Sequence, residues 1–365
     1  MTESLKEKTV SGLKWTGIEK LFLYIFVFFA GIFLNRKLFD EDYGLVAVLS
    51  IFTYLANALQ DSGFPQALIR KKDVTEADYN TVFYFSISIG IFLYTVLFFC
   101  APLIADSYNE PKLVNLSRFI FLSFVFNAFS SVQSTQITKS VNYKLNTKIS
   151  IASTILSYSL AISLAFLGYG PWALASQMVA LQGFRMIFLW IGNRWRPQLM
   201  FSIDSFKSLF GFGSNLLLKS ILDTISTRIT PNIIGRYLGL AQTGIYDNGN
   251  RWYGTCFDFV SGTILNVTYP ILSKVDEGSE MTRIYRKIVR TTSFIVFPMF
   301  LGLFLIARPF MLITIGEKWA GSIGVLQILA IGGIFIALNA LSMHIIKIKG
   351  KSSYILYTEL IYTVL

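Results

Sequence analysis

The chain has 365 residues, a formal net charge of +11, 53% hydrophobic, 16% aromatic and only 15% charged residues, with two cysteines and one histidine. Soluble domains carry about 25% charged residues, so this composition excludes an ordinary soluble enzyme and predicts a polytopic membrane protein. The basic residues come in small clusters between apolar segments, which points to membrane topology and away from nucleic acid.

Length and apolar character predict eleven spanning segments. The polar start, MTESLKEKTV, has no cleavable signal pattern and is expected to be retained. The first six segments cover about 12–36, 43–61, 81–105, 112–136, 148–168 and 171–192. A basic stretch, RWRPQ, follows. The next four cover about 208–237, 241–272, 288–308 and 320–346. An eleventh begins near Ser352 and is still running at Leu365, so a fragment of a longer protein is expected. Cys100 and Cys256 sit in apolar stretches with neither disulfide nor metal spacing.

Loop charges predict the orientation. Most Lys and Arg lie on one side, in clusters around Lys6, Arg70, Lys139, Arg194, Arg286 and Lys349. The other side has far fewer: Arg36, Lys37, Lys112, Arg236, Arg308 and Lys318. The positive-inside rule then puts the N-terminus in the cytoplasm and makes GYGP (168–171) an outside turn.

The chain also repeats. Arg36, Leu38 and Gly44 recur 200 residues later as Arg236, Leu238 and Gly244. FPQALIRKKD (64–73) answers YPILSKVDE (269–277), and Pro102 answers Pro309. Six helices return the chain to the same face, so the repeats are parallel, about an axis along the membrane normal. The expected fold is an all-α bundle with two pseudo-symmetric six-helix lobes, 1–197 and 198–365, the second truncated. Two such lobes can enclose a cavity and rock against each other.

Charges within spans are the candidate site, because each costs roughly 2.5–3.5 kcal/mol at the bilayer centre on insertion scales. On an ideal helix Asp247, Arg251, Gly254 and Asp258 fall within about 60° of one another. This stripe cannot face lipid. Arg251 suits an anionic headgroup, with Asp247 and Asp258 tuning it or holding a coupling cation. A purely structural reading, an i,i+4 ion pair, has equal weight at Asp247. In the seventh segment Lys219 and Asp223 share a face, while Arg228 lies about 180° from Lys219. Either Lys219–Asp223 is an internal pair and Arg228 faces the cavity, or the reverse. In the first lobe Glu19 and Lys20 sit at the inner end of the first segment. Lys14, Arg118 and Arg185 read as snorkelling side chains. Asn127, Gln133 and Gln136 suit hydrogen bonds to sugars or to neighbouring helices.

Catalysis has little support. His344 is alone, so neither a triad nor a His-based metal site can be built. GKS at 350–352 lacks the upstream glycine of a phosphate-binding loop. No large extracytoplasmic domain is predicted. The chain is therefore expected to be no enzyme and to need no cofactor or metal.

Three stretches carry a family resemblance: SGFPQALIRKKDVTEADYNTVF (62–83), FGFGSNLLLKSILDTISTRITPNIIGRYLGLAQTGIYDNGNRW (210–252) and SFIVFPMFLGLFLIARPFMLITIGEKWAGSIGVLQILAIGG (293–333). The chain resembles bacterial polysaccharide-export flippases of the Wzx type in the MOP superfamily, in the branch handling colanic and teichuronic acid-like polymers. The resemblance implies a MATE-like fold in the bacterial cytoplasmic membrane. It implies that undecaprenyl-pyrophosphate-linked oligosaccharide units move from the inner to the outer leaflet by alternating access. Membrane lipids and other polysaccharide-assembly proteins are the expected partners; with no ATP site in the sequence a coupling ion (H+ or Na+) is expected to drive transport, and the scattered basic clusters predict no nucleic acid. Arg251, Arg228, Lys219 and Lys20 are the expected pyrophosphate and sugar ligands; Asp258, Asp223 and Asp247 are the expected ion-coupling residues. The alternatives are a small-molecule or multidrug cation antiporter on the same fold and a membrane polymerase or ligase.

Overall fold

Prolines, glycines and short polar side chains set the helix ends in this chain. The computed structural model describes the backbone of residues 5–61, 63–272 and 279–348. The side chains of residues 5–11, 13, 61, 211–219, 223, 259–271, 279, 344 and 347–348 lie outside that description. The helices are α1 (Leu5–Lys37), α2 (Asp40–Asp61), α3 (Phe64–Arg70), α4 (Glu76–Tyr108), α5 (Lys112–Lys139), α6 (Tyr143–Phe166) and α7 (Pro171–Gly192). They continue with α8 (Ile203–Arg228), α9 (Thr230–Tyr237), α10 (Leu240–Leu272), α11 (Ser279–Thr314) and α12 (Gly321–Ile348). A 3-10 turn, Glu317–Trp319, precedes α12. The fold is all-α, and the described residues contain no strand.

Among the described residues, eight helices are long and apolar enough to cross a membrane. They correspond to the predicted segments one to six, nine and ten. The predicted eleventh lies outside the described residues. A turn forms at 168–171 between α6 and α7: Gly168 and Gly170 take positive φ, and Pro171 opens α7. The second segment ends at Asp61 as expected, and a separate short helix, α3, begins at Phe64. One correction concerns boundaries. The seventh, expected as one helix over 208–237, is two. Its break falls at Ile229, with Pro231 in the first turn of α9. Proline has no N–H and its ring clashes with the preceding turn, so it starts a helix more readily than it continues one.

Packing divides the chain into two compact units, Met1–Gly244 and Ile245–Leu365. In the first, α4 packs on α5, α5 on α7, α7 on α6 and α6 on α1, while α8 packs on α2, α3 and α4. Phe64, Leu68, Val82, Phe83, Val132 and Leu209 form a core where α3, α4, α5 and α8 meet. Phe64 stacks on Phe206 at 5.3 Å. In the second unit, α11 packs on α12.

The start of α4 organises its surroundings. Thr75 and Asp78 form a reciprocal capping box, and Asp78 also accepts from Lys71 Nζ at 2.7 Å. This gives the family-like KKDVTEAD stretch a physical role. The α7–α8 connection lies across the same helix start. Gln198 N donates to Asn80 Oδ1 at 2.6 Å, Ser202 N to Thr81 Oγ1 at 2.9 Å, and Trp195 Nε1 to Glu76 Oε2 at 2.9 Å. Asn80→Ala is expected to remove a buried acceptor and destabilise the protein by about 1–2 kcal/mol. A lowered midpoint in detergent thermal unfolding would register the loss; an unchanged midpoint would show that the connection is not anchored there.

The repeated glycines meet. A Cβ added at Gly44 would lie 1.9 Å from the Leu240 carbonyl oxygen, and one at Gly244 would lie 1.8 Å from that of Asp40. Asp40 and Leu240 are the first residues of α2 and α10, so the two helix starts cross backbone to backbone. Such Cα–H···O contacts are each worth about 0.5–1 kcal/mol. Small residues are what permits this approach.

Candidate functional site

Helix α10 has two chemically different faces. Ile245, Asn248, Gly249, Trp252 and Tyr253 recur at i, i+3, i+4, i+7 and i+8, the spacing of a packed helical stripe. The Ile245 carbonyl accepts from Ser322 Oγ at 2.7 Å. A Cβ at Gly249 would come within 2.9 Å of Val325. Trp252 Nε1 donates to Asn248 Oδ1 at 3.0 Å, and its ring meets Phe310 edge-on at 5.3 Å. Tyr253 lies 6.0 Å from Phe300. These contacts fix the rotation of α10 against α11 and α12.

The opposite face carries the predicted stripe. Arg251 Nη2 lies 3.1 Å from Asp247 Oδ2; their side chains are 46% and 20% exposed. Asp258 is exposed, and a Cβ at Gly254 would meet nothing within 4 Å. The i,i+4 pair weighed from the sequence is therefore formed. A pair this exposed is typically worth about 0.3–0.5 kcal/mol in water. It aims the guanidinium, and an anion with several oxygens can compete for its planar donor fork.

The other candidates are scattered. Arg228 ends α8 and stacks over Tyr54 of α2, 4.0 Å from its ring centroid. Tyr54 is 41% exposed. Sequence reasoning missed it, because an aromatic in an apolar span reads as core or lipid-facing surface; only the cation above it marks it. Lys20 is exposed on α1, beside Glu19, whose Oε2 accepts from Thr147 Oγ1 at 3.0 Å. Lys219 and Asp223 lie on α8, but their side chains lie outside the described residues.

Arg118 has partners on α4. Its guanidinium lies over the Phe98 ring at 4.2 Å, and its Nε reaches the Phe98 carbonyl at 3.4 Å. The aromatic face and the carbonyl supply locally what snorkelling would seek in water. Two of the three α5 amides bind neighbouring helices. Asn127 donates to Gln60 Oε1 at 2.9 Å, and Gln136 accepts from Asn193 at 2.7 Å. Gln133 is fully buried, with neither side-chain polar atom hydrogen-bonded. A pocket of about 410 Å³ borders Gln136, Lys139, Asn142 and Asn193. Lys139 Nζ is committed there to the carbonyls of Leu68 and Lys71 at the end of α3. The α10 face thus aligns Asp247, Arg251 and Asp258, with Arg251 oriented by Asp247 and each side chain at least partly accessible. Among the described residues no cluster of His, Cys, Asp and Glu could hold a metal ion.

Comparison with known proteins bears on this geometry. The family described as polysaccharide biosynthesis protein matches residues 33–324. The teichuronic acid biosynthesis protein TuaB of Bacillus subtilis (strain 168) is 26% identical over 359 residues, 98% of this chain and 74% of the relative. The succinoglycan biosynthesis transport protein ExoT of Rhizobium meliloti (strain 1021) is 26% identical over 334 residues, 91% of this chain and 67% of the relative. Among solved structures, an inward-facing multidrug resistance MATE family transporter of the MOP superfamily aligns with a TM-score of 0.68 at 13% identity. It covers 95% of this chain and 87% of the other. That likeness establishes the fold as a MATE-type bundle of membrane helices.

Proposed function

The chain belongs to the family of polysaccharide biosynthesis proteins, and from that membership we propose that it is a flippase for lipid-linked oligosaccharides. In this reading it carries undecaprenyl-pyrophosphate-linked sugar units from the cytoplasmic to the outer leaflet of the bacterial inner membrane. Its N-terminus is cytoplasmic, and it works by alternating access between two repeat lobes, 1–197 and 198–365. It is a transporter, not an enzyme.

The observation that carries the proposal is the open polar face of α10. A headgroup with a pyrophosphate and several sugars is rejected by hydrocarbon unless its polar groups are met. Arg251, held by Asp247, presents a planar cation to the phosphates. Arg228 over Tyr54 offers a second cation beside an aromatic face. Lys219 and Lys20 complete the proposed cationic set. The polyprenyl tail stays in lipid throughout.

The driving force in this reading is an ion gradient. Asp258, Asp223 and Asp247, three of the four carboxylates on α8 and α10, are the proposed binders of H+ or Na+. The double variant Asp223→Asn, Asp258→Asn is expected to flip substrate without responding to an imposed gradient. Export that keeps its full gradient dependence in this variant would remove these two residues from coupling.

The test of function is direct. Proteoliposomes containing the protein are loaded with undecaprenyl-pyrophosphate oligosaccharide, and sugar access is read with a membrane-impermeant oxidant. Protein-dependent exposure of the inner-leaflet sugar is expected. No exposure, together with efflux of organic cations from the same vesicles, would replace the flippase reading with the antiporter one.

A further inference from the structure

We propose that the connection between α7 and α8 is a membrane anchor: its tip inserts Leu199 into the adjoining lipid leaflet, and Arg194, Arg196 and Lys207 beside it hold anionic phospholipid headgroups. The proposal rests on the membrane-protein reading above and not on the identity of the cargo. Its first support is an unusual exposure. Helix α7 ends at Gly192 and α8 begins at Ile203. Leu199, Met200, Phe201 and Ile203 are all exposed, and Leu199 is 97% exposed. Apolar residues exposed singly are ordinary, but a contiguous group marks a surface that meets another apolar phase.

The second support is that the fold builds this exposure. Met200 N donates to the Gln198 carbonyl at 2.7 Å, which closes a γ-turn with Leu199 at its apex. On either side, Gln198 N and Ser202 N donate to the side chains of Asn80 and Thr81, in the second turn of α4. Helix α4 is long and apolar enough to span a membrane, so these bonds fix the tip near the level where that span begins. A tip held from both sides cannot fold back to bury its leucine. It is also already ordered, so insertion costs little further conformational freedom.

The third support is charge. Asn193, Trp195 and Pro197 are half-buried while Arg194 and Arg196 are exposed, the alternation of an extended strap. Trp195 packs on the core formed by α3, α4, α5 and α8. Arg196 is braced by donating to the carbonyls of Trp190, Asn193 and Trp195 and lies over the Trp190 ring at 5.4 Å. Lys207 is exposed on the first turns of α8, and Asp204 is the one acid between 193 and 207. Glu76 of α4 reaches the strap through Trp195 Nε1 at 2.9 Å. An apolar tip flanked by three cations suits an anionic lipid surface. A second copy of this chain would bring the same cations against them, so charge favours lipid over self-association.

Spin labelling tests the anchor. In the full chain, with Cys100→Ala and Cys256→Ala, a nitroxide is attached through Leu199→Cys. The protein is reconstituted into phosphatidylcholine liposomes with or without phosphatidylglycerol. Collisions are measured with oxygen, which concentrates in hydrocarbon, and with a neutral nickel chelate, which stays in water and is present on both sides. Phosphatidylglycerol is expected to raise the oxygen-to-chelate collision ratio at least about threefold, and Arg194→Gln with Lys207→Gln to remove that rise. A water-like ratio in both lipids would overturn the anchor, as would a ratio indifferent to phosphatidylglycerol. Few collisions with either reagent would mean that protein covers the tip, which also overturns it. If the cysteine-free background does not fold, a benzophenone side chain introduced at Leu199 in the parent chain decides: photo-adducts with phosphatidylglycerol support the anchor, and adducts with protein or none at all overturn it. Lipid-linked sugar flipping is measured on the same liposomes. An inserted tip without flipping leaves the anchor standing and removes the flippase reading; flipping with a water-exposed tip removes the anchor alone.

Discussion

Arg251→Ala is expected to reduce lipid-linked oligosaccharide flipping about 10- to 100-fold while leaving the folded yield unchanged. Arg251 is nearly half exposed and lies on the α10 face that does not pack, so its removal leaves no cavity. Its exposed pair with Asp247 contributes too little to folding for truncation to unfold the chain. A charge-assisted hydrogen bond to phosphate is worth about 1.5–3 kcal/mol, and 1.4 kcal/mol is tenfold in an equilibrium or rate. Arg251→Lys keeps the charge but loses the planar fork, and is expected to recover only part of the activity. Asp247→Asn keeps the shape and removes the orienting charge, so a smaller loss is expected than for Arg251→Ala. Flipping rates in proteoliposomes, normalised to incorporated protein, check all three. If Arg251→Ala flips substrate at the normal rate, the α10 stripe is not the substrate site.

The largest stability effect is expected in the second unit, at Trp319. Trp319→Ala should destabilise it by about 3–5 kcal/mol, the range for truncating a buried aromatic. Gly316, at φ +99°, ends α11 in a conformation that other residues rarely adopt. The chain then makes one 3-10 turn, Glu317–Trp319, that buries the indole to 1% exposure. The turn packs against both α11 and α12. Unfolding midpoints and protease resistance of the second unit would report the loss. A variant as stable as the parent would mean that the corner collapses without the ring.

Much of this chain could be read without coordinates. Helix content and span positions follow from apolar runs of about twenty residues, a length the bilayer imposes. The turn at 168–171 follows from Gly-Tyr-Gly-Pro, because glycine and proline restrict the backbone locally. The stripe of Asp247, Arg251 and Asp258 follows from helical periodicity alone. The break at Ile229 was less legible. Pro231 was visible, but whether a proline kinks a helix or restarts one depends on what its neighbours pack against. The partners of Arg118 were not legible for a related reason: only the arrangement of α4 and α5 puts a ring and a carbonyl within its reach.

The sequence by itself determined the fold class and the existence of a charged helix face, because these depend on composition, period and local backbone preference. The tertiary structure alone decided which face of α10 is packed and which is open, that Arg228 has Tyr54 beneath it, and that Gly44 and Gly244 touch across two helices. Each of these depends on pairs of residues far apart in the chain, and no local periodicity carries information about a partner about 200 residues away.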